Sequence, residues 1–176
     1  MTKYKIIDNF LPNDFYEKLS FDLKSDRIPW YYKKVDVDKK KSNNNGFFCF
    51  CYYNDFKPDH HLFNVHIEPI LKNLNAETVI IVKANLVLRD KDMIDCAFHT
   101  DTECLYSTTG ILFLTDCNSK TILKVDNKEV CVNSIENRML LFNSQIEHKV
   151  IYQTDVYKRY VINFNFIERK SDFYNE

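Results

Sequence analysis

The sequence predicts a mainly β chain of the α+β kind, in which two helices precede a barrel-like sandwich of short strands and pack on its outside. Three observations carry this. Helical spacing of apolar residues is confined to two segments before Thr78. From Thr78 onward, short alternating runs recur between turn residues. Two of those runs carry polar residues on a face where an ordinary core would be apolar.

The elements follow in order. "KYKIIDNF" reads as a short opening strand. "LPNDFYEKLSFDLKSD" reads as a helix, because Pro12 suits a first turn and Phe15, Leu19 and Leu23 share one face. "PWYYKKVDV" and "GFFCFCYY" are aromatic strands, and "DKKKSNNNG" between them is an exposed loop. "HHLFNVHIEPILKNLN" is a second helix that Pro69 bends or restarts. "TVIIVKANLVLRD" alternates with period two: Ile80, Val82, Ala84, Leu86 and Leu88 form an apolar face, and Val79, Ile81, Lys83, Asn85, Val87 and Arg89 a mixed one. Further strands fall at "TTGILFLT", "TILKV", "KEVCV", "RMLLF", "HKVIY" and "RYVINFNFI". In the last, Tyr160, Ile162, Phe164 and Phe166 are fit to pack on helices, while Arg159, Val161, Asn163, Asn165 and Ile167 make a second mixed face. Such faces suit either solvent or a polar cavity inside the barrel.

The totals bound the rest. At 176 residues, with 45% hydrophobic and 15% aromatic, the chain is expected to form one domain with a real core. A net charge of −1 points to no polyanion or membrane partner. No apolar run approaches a membrane span, and "MTKYKIIDNFLPNDF" lacks a signal-peptide layout. The 6 cysteines form no C-x-x-C pair, which argues against a zinc ribbon or thioredoxin-type motif, and the size of the core and the lack of an export signal favour reduced thiols in an intracellular protein over a disulfide framework. Cys49 and Cys51 lie on opposite faces of their strand. With only 2 glycines there is no glycine-rich phosphate loop.

The candidate chemistry lies in "CAFHTDTECLY". His99 and Asp101 are two apart, so in an extended segment they point to one side. Taken alone, the pair reads better as a surface ion pair. His148 opens a later strand in "QIEHKV". Two imidazoles and one carboxylate occupy one face of an octahedral metal and leave three positions open, the arrangement of non-haem Fe(II) oxygenases. Arg159, on the mixed face of the last strand, offers a guanidinium fork for a carboxylate. Glu103 reads as a solvated carboxylate close enough to compete as a ligand. His60, His61 and His66 read as surface or packing histidines. Arg138 reads as structural, pairing with a carboxylate or turn carbonyls.

"HTD" at His99 to Asp101, His148, and "RYVINF" from Arg159 together resemble the Fe(II)- and 2-oxoglutarate-dependent oxygenases. "KANLVLRD", "FHTDTE", "TTGILFLT", "ENRMLLFNSQIEH" and "TDVYKRYVINFNF" look like the compact prolyl-4-hydroxylase-like members of bacteria and tailed phages. The resemblance covers Thr78 to Ile167 well and the earlier part more loosely. It implies a double-stranded β-helix, that is, a jelly-roll or cupin-like barrel, with N-terminal helices supporting it from outside. It implies one oxygenase domain over 1–176: support helices and aromatic hairpin in 1–77, jelly-roll core in 78–167, tail in 168–176.

The same resemblance implies Fe(II) held by His99, Asp101 and His148, with 2-oxoglutarate chelating the iron and its far carboxylate on Arg159. Oxygen is the co-reactant and ascorbate the reductant. The implied reaction hydroxylates a C–H bond and releases succinate and CO2, on a prolyl or other amino-acid residue in a peptide or protein. The alternatives are a nucleobase or small-metabolite substrate, or a non-catalytic jelly roll that binds metal and 2-oxoglutarate. Asn85 is implied at the C1 end of the cosubstrate and Asn163 near the iron. Phe113 stands where relatives carry a Tyr for the far carboxylate, which leaves Thr121 or water to assist Arg159. Relatives also have glycine before the Thr121 strand, here "CNSKT", and Ser or Thr where Val161 stands. In relatives the hairpin that contains the Asp38 to Gly46 loop folds over substrate; an ordinary surface loop is the other reading. The expectation is a monomeric cytoplasmic protein of a bacterium or phage-infected host, with no membrane partner and nucleic acid not favoured.

Overall fold

A computed structural model describes residues 3–34, 46–89 and 95–169 of the chain. The expected polar loop, apart from Gly46, and the expected tail beyond Arg169 lie outside the described residues.

Strand β1 (Tyr4–Ile7) leads into helix α1 (Asn13–Lys24), followed by β2 (Tyr31–Lys34), β3 (Gly46–Asn54) and β4 (Lys57–Pro58). Pro12 is the N-cap of α1, where its missing N–H costs no hydrogen bond. The expected second helix is split: a π-helical turn, Phe63–Ile67, runs into α2 (Glu68–Asn73), and Pro69 sits in the first turn of α2. Then come β5 (Ala76–Leu88), β6 (Thr108–Phe113), β7 (Cys117–Val125), β8 (Lys128–Ser134), β9 (Arg138–Asn143), β10 (His148–Ile151) and β11 (Lys158–Glu168).

The large sheet has the order β1-β9-β6-β11-β5-β3-β2, with β4 added on β3; the small sheet has the order β10-β7-β8. From β5 onward the chain alternates between them. Strands β5, β6, β9 and β11 lie in the large sheet, and β7, β8 and β10 in the small one. The Asp95 to His99 stretch joins the small sheet through two bridges, Asp95 with Ile151 and His99 with His148. This is the double-stranded β-helix expected from the sequence.

The two faces of the large sheet have different tasks. On the outer face, Tyr160, Ile162, Phe164 and Phe166 form one buried cluster with Leu19 and Leu23 of α1 and with Ile70 and Leu71 of α2. Between the sheets a smaller cluster forms from Ile111, Phe113, Leu123, Val132, Leu140, Phe142 and Val161. The mixed faces of β5 and β11 therefore look into the sandwich rather than into solvent. Val79, opposite the register shift between Asn165 and Phe166, departs from that and packs on the outer cluster. Arg89 lies beyond the end of β5 and is exposed, its guanidinium 5.9 Å from the Tyr157 ring centroid. Asn165 is fully buried and accepts a hydrogen bond from the Thr109 hydroxyl at 2.8 Å.

Arg138 pairs with Asp8 through two hydrogen bonds, at 2.6 and 3.0 Å, which is the structural role expected of it. His66 is buried between the Tyr52 hydroxyl (2.9 Å) and the Asp22 carboxylate (3.0 Å), and so ties β3 to α1.

Two outcomes follow from this packing. Phe164 is fully buried in a strand paired on both sides, so Phe164→Ala should lower unfolding free energy by about 3–5 kcal/mol in urea titrations. Burial lowers the pKa of His66, and the Asp22 carboxylate opposes this only in part. The unfolded chain thus takes up a proton near pH ~6.5 before the folded chain does, and stability drops as pH falls through that value. His66→Gln should shrink the fall in urea midpoint between about pH 7 and about pH 5 without abolishing it, since burial also depresses His60 and His148.

Candidate active site

His99 and His148 face each other as a reciprocal backbone pair. The His148 N–H donates to the His99 carbonyl at 2.9 Å, and the His99 N–H to the His148 carbonyl at 3.0 Å. Direct opposition in an antiparallel pair sends both side chains to the same face. Their ring centroids are 4.5 Å apart. Asp101, two residues on, turns its carboxylate to the same place. Its Oδ1 is 3.7 Å from His99 Nε2 and its Oδ2 is 3.8 Å from His148 Nε2.

These separations exceed hydrogen-bond length. Yet the donor atoms of the three residues all lie within 4.8 Å of one another. Asp101 Oδ2 is buried with no hydrogen-bond partner, an acceptor held ready for a cation. Burial depresses the basicity of His148 against the pull of the Asp101 carboxylate, which favours the neutral imidazole a metal needs. His99 is half exposed at the mouth of the site. Its Nδ1 donates to the Ala97 carbonyl at 3.2 Å, which leaves Nε2 as the lone-pair nitrogen facing Asp101. Two nitrogens and one carboxylate oxygen, with one side open, fit an octahedral Fe(II).

Behind the three donors a cavity of about 310 Å³ opens between the sheets. Arg159 lies in its wall, buried to 4% exposure, with its guanidinium 5.8 Å from the Phe113 ring centroid. Burial pushes the Arg159 pKa down, and its polar neighbours are Cys117, Tyr152 and Cys96. No carboxylate among the described residues pairs with it. A buried cation without a counter-ion is costly, so this group is set up for an anion from outside. Asn85 Oδ1, Asp101 Oδ2, Arg159 Nε and Asn163 Oδ1 are all buried without a partner, and all four residues line this cavity.

The residues singled out from the sequence thus converge. His99, Asp101, His148, Arg159, Asn85, Thr121 and Asn163 line one cavity. Phe113 does not: it is fully buried between the sheets and lies against the guanidinium, so it cushions Arg159 instead of forming a wall. Glu103 is exposed and stands outside the three-donor group. Tyr152 was missed. It is buried to 4%, lines the cavity beside Cys96, and burial raises its pKa. The period-two count from His148 through Val150 to Tyr152 would have found it. Its hydroxyl lies near Arg159, and Phe113 has none to offer.

Fold and site together define a class: a double-stranded β-helix with a three-donor metal face at its open end. No family model matches the sequence, and no curated protein matches it. Solved structures do share the fold. A Pseudomonas putida prolyl-4-hydroxylase superposes with TM-score 0.66 at 13% identity, over 96% of this chain and 94% of that one. An oxidoreductase of the 2OG-Fe(II) oxygenase family from Burkholderia pseudomallei gives 0.70 at 8% identity, over 96% and 89%. A Trichoplax adhaerens prolyl hydroxylase, in complex with a hypoxia inducible factor oxygen degradation domain peptide, gives 0.63 at 14% identity, over 94% and 84%. The chain has the fold of the 2-oxoglutarate and Fe(II) oxygenases.

If the three donors form the metal face, calorimetry with Mn(II) should show one ion per chain. Asp101→Ala and His148→Ala should each weaken it by roughly 100-fold or more, and Glu103→Ala should leave it unchanged.

Proposed function

We propose that this chain is an Fe(II)- and 2-oxoglutarate-dependent oxygenase that hydroxylates an amino-acid residue, proline first among them, in a peptide or protein. One observation carries the reading. A single cavity holds the three metal donors and a buried guanidinium with no carboxylate partner among the described residues. A keto-dicarboxylate is complementary to both: its keto and near carboxylate groups suit the open metal positions, and its far carboxylate suits Arg159.

In this reading His99, Asp101 and His148 hold Fe(II), which when bound couples oxygen activation to decarboxylation of the cosubstrate. Arg159 orients the far carboxylate, with the Tyr152 hydroxyl and Thr121 beside it. The amides of Asn85 and Asn163 orient groups nearer the metal. The walls of the sandwich keep bulk water from the reacting centre. The domain runs over 1–176, with 78–167 as the core that builds the site.

Support for a peptide substrate comes from two sides. Two of the structures that share the fold are prolyl hydroxylases, one of them with a peptide bound. On this chain Phe47 of β3 lines the cavity, and Tyr31 of the adjoining β2, paired with Cys49 on the same face, is 65% exposed, as suits an aromatic rim. No helix among the described residues is long and apolar enough to cross a membrane.

The test mixes the protein with Fe(II), 2-oxoglutarate, ascorbate and oxygen, and measures succinate with and without proline-containing peptides. Succinate above a His99→Ala control, rising with a peptide, is the expected result. Binding of metal and cosubstrate without any succinate would make it a sensor. Arg159→Ala should weaken 2-oxoglutarate binding by about 100-fold or more while Mn(II) affinity changes little; equal loss of both would make Arg159 structural.

A further inference from the structure

The proposed chemistry leaves one charge in the cavity without a task. Lys83 sits on β5 between Cys51 of β3 and Asn163 of β11, half-buried, with its side chain in the cavity wall. Among the described residues, three cationic side chains line that cavity: Lys83, Lys149 and Arg159. Lys149 is neutralised by Asp95 at 2.9 Å. Among the described residues, Lys83 pairs with no carboxylate, and the only carboxylate that lines the cavity is Asp101, a proposed metal ligand.

The charges can be followed through the loaded state. A doubly positive metal, the Asp101 carboxylate, a doubly negative cosubstrate and the Arg159 guanidinium cancel. Lys83 remains as one unbalanced positive charge in a partly desolvated site, where charges are felt strongly. Position separates it from Arg159. Arg159 is in register with Val87 and Lys83 with Asn163, four residues apart along β5, or roughly 13 Å of strand. The two cations therefore serve different ends of the cavity. Lys83 is on the metal side: the His148 ring is 5.0 Å from that of Phe142, whose strand pairing runs through Thr109 to Asn165, two residues from Asn163, the partner of Lys83. Its neighbours on the same wall are the amides of Asn85 and Asn163, each with an unpaired oxygen able to accept an N–H.

We infer that Lys83 is a specificity residue that reads a carboxylate on the primary substrate close to the carbon being oxidised, with Asn85 and Asn163 taking an adjacent N–H. The inference rests on the oxygenase reading and narrows it to acidic substrates: an amino acid or peptide C-terminus, whose carboxylate is main-chain, or a peptide with Asp or Glu beside the target. A cavity of about 310 Å³, at the small end of ligand sites, suits such a group.

The test uses the whole chain loaded with Mn(II) and 2-oxoglutarate. It is titrated calorimetrically with free amino acids, short peptides ending in proline, and peptides containing Pro-Asp or Pro-Glu. Each acid is paired with its amide twin. The wild type should bind at least one acid about tenfold or more tightly than its twin. Which twin pair discriminates tells a main-chain from a side-chain carboxylate. Lys83→Met should erase the difference while 2-oxoglutarate affinity stays within about twofold, and Lys83→Arg should largely restore it. One Mn(II) bound per chain, as in the wild type, shows that the variants are folded. Three results overturn the inference: no acid preferred over its amide by the wild type, a preference that survives Lys83→Met, or a 2-oxoglutarate affinity that collapses with Lys83. A wild type that takes Mn(II) but not 2-oxoglutarate removes the oxygenase reading and this inference with it. One that takes both without preferring acids removes this inference alone.

Discussion

The site depends on the reciprocal pair of backbone hydrogen bonds between His99 and His148. Apart from the bridge at Asp95, it is what attaches the Asp95 to His99 stretch to the small sheet. Direct opposition fixes which face both imidazoles occupy, and a shift of one residue would turn either ring away. Asp101 follows from the same constraint, because it is two residues beyond His99 and the chain leaves the sheet there. Three donors from two distant segments are thus placed by main-chain geometry, without side-chain bonds among them. That suits a metal site, since ligand atoms bonded to each other would have to be freed before they could bind.

The strand β11 shows how the fold supports this. One face, Tyr160 to Phe166, is committed to the helices and is apolar throughout. That commitment locks the register of the strand, and the opposite face is then free to carry Arg159 and Asn163 into the cavity. A guanidinium and orphan amides between two sheets are expensive, and the large apolar cluster on the outer side offsets the cost. The helices thus serve the site through register rather than contact. The price of the polar interior is met on the far side of the same strand.

Much of this was legible from pattern alone. Period-two alternation marked the mixed faces of β5 and β11, and the placement of Lys83, Asn85, Arg159 and Asn163 followed. The spacing of His99 and Asp101 showed a shared side. What the pattern could not show were facts of three dimensions. Arg89 continues the alternation of β5, but the strand ends at Leu88, and the side chain turns to Tyr157. Phe113 has the right alternation for the interior, yet it fills the space beneath Arg159 instead of bounding the cavity. His66 and Asp22 are bonded across 44 residues, and no local spacing announces such a pair. Tyr152 was within reach of the period-two rule, but it stands just past the end of β10, where strand patterning is weakest.

In the proposed reading, Tyr152 supplies the hydroxyl beside Arg159 that Phe113 lacks. A hydroxyl beside a buried guanidinium can donate to the same anion whichever strand supplies it. Here the large sheet contributes Phe113, an apolar ring against the guanidinium, and the far end of the β10 segment contributes the buried hydroxyl of Tyr152. Tyr152 lies beside Cys96, whose backbone N–H bonds the Val150 carbonyl at 3.1 Å. The hydroxyl is therefore fixed by the same crossing of the Asp95 to His99 stretch over β10 that aligns the two histidines. One short antiparallel contact thus positions groups at both ends of the cavity, and disturbing it should loosen the three donors and the Arg159 end together.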